Sequence, residues 1–142
     1  MFYRRYLVFG LLLLGCEKES SVSDVAAPFG QEFTLRFTQS ARLPEVNEPE
    51  LTLTATDIVD SRCPPCGAPG TAKTVLRVQD QVGHQQTLTL CLDCGTEFRD
   101  TVTVRANSRR YQLTLHRVTP EPVAEPASPK KEGKQVVLSV KQ

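Results

Sequence analysis

Four cysteines fall in two identical spacings, Cys63-Pro64-Pro65-Cys66-Gly67 and Cys91-Leu92-Asp93-Cys94-Gly95. Two thiolates per tight turn, each followed by glycine, are the units from which a tetrahedral zinc site is built. The same four residues form two disulfides in an oxidising compartment. A single C-x-x-C with a lowered thiol pKa is a redox centre when it opens a helix. The choice among these depends on where the chain works. A metal or disulfide role for Cys63, Cys66, Cys91 and Cys94 is therefore read together with the N-terminus.

That N-terminus carries Arg4 and Arg5, then an apolar run from Tyr6 to Leu14 interrupted only by Gly10. The run is too short to span a bilayer, which takes about 20 apolar residues. It has the layout of an export signal. Leu13-Leu14-Gly15-Cys16 resembles the bacterial lipobox. The resemblance implies cleavage before Cys16, diacylation of its thiol, and membrane attachment by lipid rather than by a spanning helix. Glu17, where inner-membrane lipoproteins of Gram-negative cells often carry Asp, favours the outer membrane. Residues 1–15 are thus expected to be a signal peptide. Residues 16–29, polar and small, are expected to be a lipidated flexible tether, leaving 30–142 as one domain.

Removing 15 residues from 142 leaves 127, enough for one modest core. Losing Arg4 and Arg5 takes Lys+Arg from 17 to 15 against 16 Asp+Glu, a net charge near −1. No basic stripe supports nucleic-acid binding. Tryptophan is absent, which argues against a stacking platform for bases or sugars.

The elements that must position the cysteines read as strands. Apolar residues alternate with polar ones in Glu32–Phe37, Glu50–Thr56, Thr87–Leu92, Tyr111–Leu115 and Gln135–Val140, with shorter apolar runs at Thr74–Val78 and Phe98–Val104. About seven strands predict an all-β domain, an antiparallel Ig-like β-sandwich or an open barrel. Gly83 and Asn107-Ser108 mark hairpin turns. Residues 119–134, with four prolines and Lys130-Lys131, read as a solvated surface loop, with a binding loop as the alternative.

His84 and His116 read as solvated side chains. Asp57, Asp60, Asp80, Asp93 and Asp100 read as ordinary carboxylates near strand ends, since they lack calcium-loop spacing. No nucleophile turn of the G-x-S-x-G kind is present, so the chain is read as not an enzyme.

The paired C-x-x-C-G units resemble zinc-ribbon knuckles, with 24 residues between Cys66 and Cys91 where ribbons usually have about 15–20. Export shifts the balance to disulfides, with cross-links between the two motifs favoured and zinc second. A redox role ranks lowest, because the prolines and glycines around Cys66 do not open a helix.

Asp60-Ser61-Arg62-Cys63-Pro64 and Cys66, with Phe33, Leu35, Ala41 and Leu43 upstream and Tyr111-Gln112-Leu113 and Val118-Thr119-Pro120 downstream, resemble small uncharacterised bacterial lipoproteins. That resemblance implies an exported β-sandwich and a Cys63–Cys66 disulfide, and it carries no activity. The chain departs from the pattern in having only two prolines between Cys63 and Cys66 and in adding Cys91 and Cys94, so zinc stays open. The reading is an envelope lipoprotein acting as a non-catalytic binding or structural module, held to the membrane through Cys16, with its protein or envelope partner undefined. The alternative is a periplasmic zinc-binding protein.

Overall fold

The computed structural model describes residues 22–142; the expected signal peptide, residues 1–15, and Cys16 lie outside the described residues. Among the described residues nine strands form two sheets. They are β1 (Val25–Ala26), β2 (Glu32–Arg36), β3 (Ser40–Leu43), β4 (Leu51–Asp60), β5 (Ala72–Gln79), β6 (Gln85–Leu92), β7 (Thr101–Ala106), β8 (Arg109–Thr119) and β9 (Gln135–Lys141). One sheet has the order β1-β3-β4-β5-β6 and the other β2-β9-β8-β7. The two sheets do not close into a barrel, and the all-β sandwich expected from the period-two pattern is what forms. Each sheet is largely a meander, a strand order distinct from the ABED and CFG sheets of immunoglobulin domains.

The alternating apolar residues meet between the sheets. Leu51, Leu53, Ala55, Leu76, Val78 and Leu90 from one sheet face Leu35, Tyr111, Leu113, Leu115, Leu138 and Val140 from the other, all essentially excluded from solvent. Each fully buried leucine contributes about 1.5–3 kcal/mol.

Two bulges interrupt the alternation. In β4 the register shifts between Ala55 and Asp57, and in β8 between Leu115 and Arg117. An extra residue in one strand reverses which face every later side chain occupies. Ile58 and Asp60 therefore turn inward in β4, and Val118 turns inward in β8.

Residues 24–29, read from sequence as part of the tether, join the sandwich. Val25 and Ala26 pair in parallel with Ala41 and Arg42 of β3. Asp24 Oδ2 lies 2.7 Å from Arg42 Nε. Ala27 is fully buried and its N–H donates to Arg42 O at 3.1 Å. Phe29 stacks on Tyr111 with ring centroids 5.9 Å apart. The backbone and side chains of this polar-looking stretch thus find partners that its composition does not advertise.

The hairpins form where the turn residues predict. Asp80 Oδ1 accepts from the N–H groups of Val82 and His84, and Gly83 takes φ 91°. Asn107 and Ser108 both take positive φ, 51° and 59°, forming the two-residue turn from β7 to β8. The strand read from Phe98 begins only at Thr101; Phe98 lies in the preceding loop, with Lys73 Nζ 4.9 Å from its ring centroid.

Candidate functional site

Strand direction sorts the connections between two poles. The ends of β4, β6 and β8, and the starts of β5, β7 and β9, lie at one pole. The opposite pole holds the two hairpin turns described above and the β3–β4 connection. The first pole carries residues 61–71, 93–100 and 120–134, including both cysteine motifs. Asp60 pairs with Ala72, and Ala72 with Leu92, so β5 alone separates the two motifs along the sheet. The hairpin brings both motifs to one end, as the spacing predicts.

The pairing there differs from the favoured expectation. Cys63 stands at disulfide distance from Cys66, with Cα atoms 5.3 Å apart, and Cys91 from Cys94, with Cα atoms 5.8 Å apart. Cross-links between the motifs do not form, because each turn folds its second cysteine back onto its first. Cys66 N–H donates to Cys63 O at 3.0 Å across the single 3-10 turn Pro64–Cys66, and Gly67 leaves that turn at φ 74°. Cys63 N–H donates to Pro69 O, and Gly70 at φ 70° packs so tightly on Ser61 O that no Cβ fits. Among the described residues no group of three or more His, Cys, Asp or Glu side chains is arranged to hold a metal ion.

Beneath the loops lies an ionic cluster that the sequence reading missed. Asp60, with its side chain fully buried, accepts from Arg62 Nε at 2.9 Å, Arg62 Nη2 at 2.9 Å, Arg62 N at 3.2 Å and Lys134 Nζ at 3.0 Å. Those four bonds match the lone-pair capacity of a carboxylate. Arg62 Nη2 also donates to Val118 O at 2.8 Å, which ties the end of β4 to the end of β8 across the sandwich. Lys134 is 3% exposed at its side chain and sits at the base of the grooves under residues 120–134.

Burial pushes the Asp60 carboxyl up. The hydrogen bonds from Arg62 and Lys134, with the Arg62 charge, outweigh it and hold the group below its usual 3.8. Asp60 in turn raises Arg62 by accepting its hydrogen bonds, against the effect of burial; Glu121 and Asp93 from the two neighbouring loops add to the rise. An extended chain places residues two apart on one face, so Asp60-x-Arg62 held the signal for the pair. Nothing in the proline-rich stretch marked Lys134.

The long loop is seated rather than free. Ala127 N–H donates to Arg62 O at 2.8 Å. Lys131 Nζ donates to Asp57 Oδ1 at 3.0 Å and lies 4.8 Å from the Phe37 ring centroid. An open groove of about 350 Å³ is lined by residues 120–128 and Lys134, and Val123 of that lining is 85% exposed. A second groove, about 290 Å³, runs along Cys91, Cys94, Phe98 and Arg99.

The remaining residues considered from sequence are dispersed. His84 Nδ1 lies 3.2 Å from Asp80 Oδ2 at the opposite pole, and His116 Nε2 lies 2.8 Å from Ser139 Oγ on the outer face of β8. Asp57 pairs with Lys131, while Asp93 and Asp100 lie exposed in the β6–β7 loop. No helix among the described residues is long and apolar enough to cross a membrane.

No protein-family model, curated protein or solved structure matches the chain.

Proposed function

We propose that this chain is an exported, lipid-anchored envelope protein whose sandwich is a non-catalytic binding module. Its partner is a protein met at the loop pole. The lipobox-like Leu13-Leu14-Gly15-Cys16 supports export and anchoring through Cys16, with the outer membrane favoured by Glu17. The single observation that carries the binding role is the asymmetry of the poles. The three loops from 61–71, 93–100 and 120–134 gather at one end, both cysteine pairs stiffen it, and a buried ionic cluster ties the 61–71 and 120–134 loops to the strands. Loops fixed on a rigid scaffold are the usual seat of recognition. Ordering the loops beforehand lowers the entropic cost of binding.

Site-specific photo-crosslinking in cells tests this reading. A photoreactive side chain at Val123, at the loop pole, is expected to give a discrete adduct. One at Val46, exposed in the β3–β4 connection of the opposite pole, is expected to give none. Equal adducts from both positions, or none from Val123, contradict the binding role. The anchor is tested separately: inhibiting lipoprotein signal peptidase, or Cys16→Ala, is expected to leave an uncleaved precursor.

A further inference from the structure

The two sheets have four edges, and three are blunted. β1 has only two residues. β2 has five and carries Glu32 and Arg36. β7 carries Arg105, whose carbonyl accepts from Gln86 Nε2 at 2.9 Å. The fourth edge is β6. It runs eight residues, Gln85 to Leu92, with no charge, no proline, no glycine and no bulge against β5. Long uncharged edges offer a row of unpaired backbone groups to another strand, and proteins usually guard them.

The register identifies which groups are unpaired. Asp80 N–H donates to His84 O, which makes the next pair, Gln79 with Gln85, a non-hydrogen-bonded one. At the other end Cys91 N–H donates away from β5, to Arg99 O at 2.9 Å. Both observations give the same parity. Gln85, Thr87, Thr89 and Cys91 turn their backbone N–H and C=O groups outward, while Gln86, Leu88, Leu90 and Leu92 bond to β5. The β6–β7 loop covers Cys91. Among the described residues nothing bonds to the outward backbone groups of Gln85, Thr87 and Thr89, which keep an open edge.

We propose that β6 pairs antiparallel with β6 of a second copy of this chain, about a two-fold axis at Thr87. Thr87 then faces Thr87 of the other copy, and Gln85 faces Thr89 on either side. The three pairs are all of the hydrogen-bonded type, giving about six backbone hydrogen bonds. On one face threonine meets threonine and glutamine, and on the other Gln86 meets Leu88, an uncharged cross-strand set throughout. Self-pairing of this kind is isologous and closes at two copies, so it makes a dimer and not a fibre. It joins two five-stranded sheets into one of ten strands. The loop bonded at Cys91 limits the ladder to residues 85–89. The loop pole is not used, so the dimer stands independently of the binding role.

Sedimentation of the full chain in detergent, with its thermal melt followed by circular dichroism, tests the proposal. The wild-type chain is expected to be a concentration-dependent dimer. Thr87→Pro removes one outward N–H per copy, leaves the bonds to β5 in place, and is expected to weaken dimerisation about ten- to a hundredfold. Thr87→Lys and Thr87→Glu, which change only an exposed side chain, are each expected to dissociate more readily than wild type. Mixed, they are expected to recover a dimer containing one of each. A wild-type chain that stays monomeric overturns the proposal. So does a dimer that the two charge variants neither weaken alone nor restore when mixed.

Discussion

Lys134 Nζ lies 3.0 Å from Asp60 Oδ2, with the two side chains 3% and 0% exposed, across 74 residues of chain. A buried ion pair contributes little net stability when whole, because desolvation offsets the attraction, but breaking one partner is costly. With Arg62 on the same carboxylate and on Val118 O, the cluster fixes where the 61–71 loop begins and where the 120–134 loop begins and ends.

Asp60→Ala is expected to lose about 3–5 kcal/mol of unfolding free energy, since it leaves the buried Lys134 and the half-buried Arg62 without a counter-charge. Equilibrium urea denaturation checks this. Pairing Asp60→Ala with Lys134→Ala in a double-mutant cycle is expected to show coupling, the double variant losing less than the two singles together. Strict additivity would mean that the pair does not interact.

The same cluster sets an acid limit. The folded Asp60 carboxyl titrates below its usual 3.8, so the folded state holds the proton less tightly than the unfolded chain. Its stabilisation is complete above that value and is lost as pH falls through the folded pKa. The stability gap between wild type and Asp60→Asn is therefore expected to be widest at neutral pH and to narrow below pH 3.8. A gap independent of pH in that window would contradict this assignment.

Pairing within each cysteine motif predicts independence. Replacing Cys63 and Cys66 together by serine is expected to leave Cys91–Cys94 intact in peptide mapping, and to cost about 2 kcal/mol from the short loop closed. Cross-linked motifs would behave otherwise. Removing one pair would then free both remaining thiols, and each bond, closing a far longer loop, would be worth about 3–4 kcal/mol.

Ser108 occupies the second position of a two-residue turn with φ 59°, a region that favours glycine. Ser108→Gly is expected to stabilise the fold by about 1 kcal/mol, read as a rise in the denaturation midpoint. Asn107 should not be exchanged with it, because its side chain donates to Glu50 O at 2.8 Å and caps the opposite pole.

Alternation made most of the sandwich legible, and the bulges mark where it stopped being so. The sequence pattern in β4 could be followed only as far as Thr56 and in β8 only as far as Leu115; the strands run on to Asp60 and Thr119 with their faces exchanged. That exchange carries Asp60 from the expected surface into the interior. β3 is four residues long and ends against Pro44, and β1 is two, too short for either to show a period. Both cysteine turns were legible as turns at one pole. Their partners were not, because spacing alone cannot say whether a turn folds back on itself. Lys134 lies at the end of a solvated-looking run, and only the return of β9 beside β8 places its ammonium under the loops.

We propose an exported, lipid-anchored sandwich whose loop pole is held by two short disulfides. Intact mass of the mature protein, purified without reductant and measured under native and denaturing conditions, tests it most directly. The expected mass is that of a chain beginning at Cys16 and carrying acyl groups. It is lighter by the hydrogens of four thiols, with no bound metal and no thiol open to alkylation. A chain that retains Met1 without acylation contradicts the anchor. A native mass raised by one zinc, with four thiols alkylated after denaturation, contradicts the disulfides.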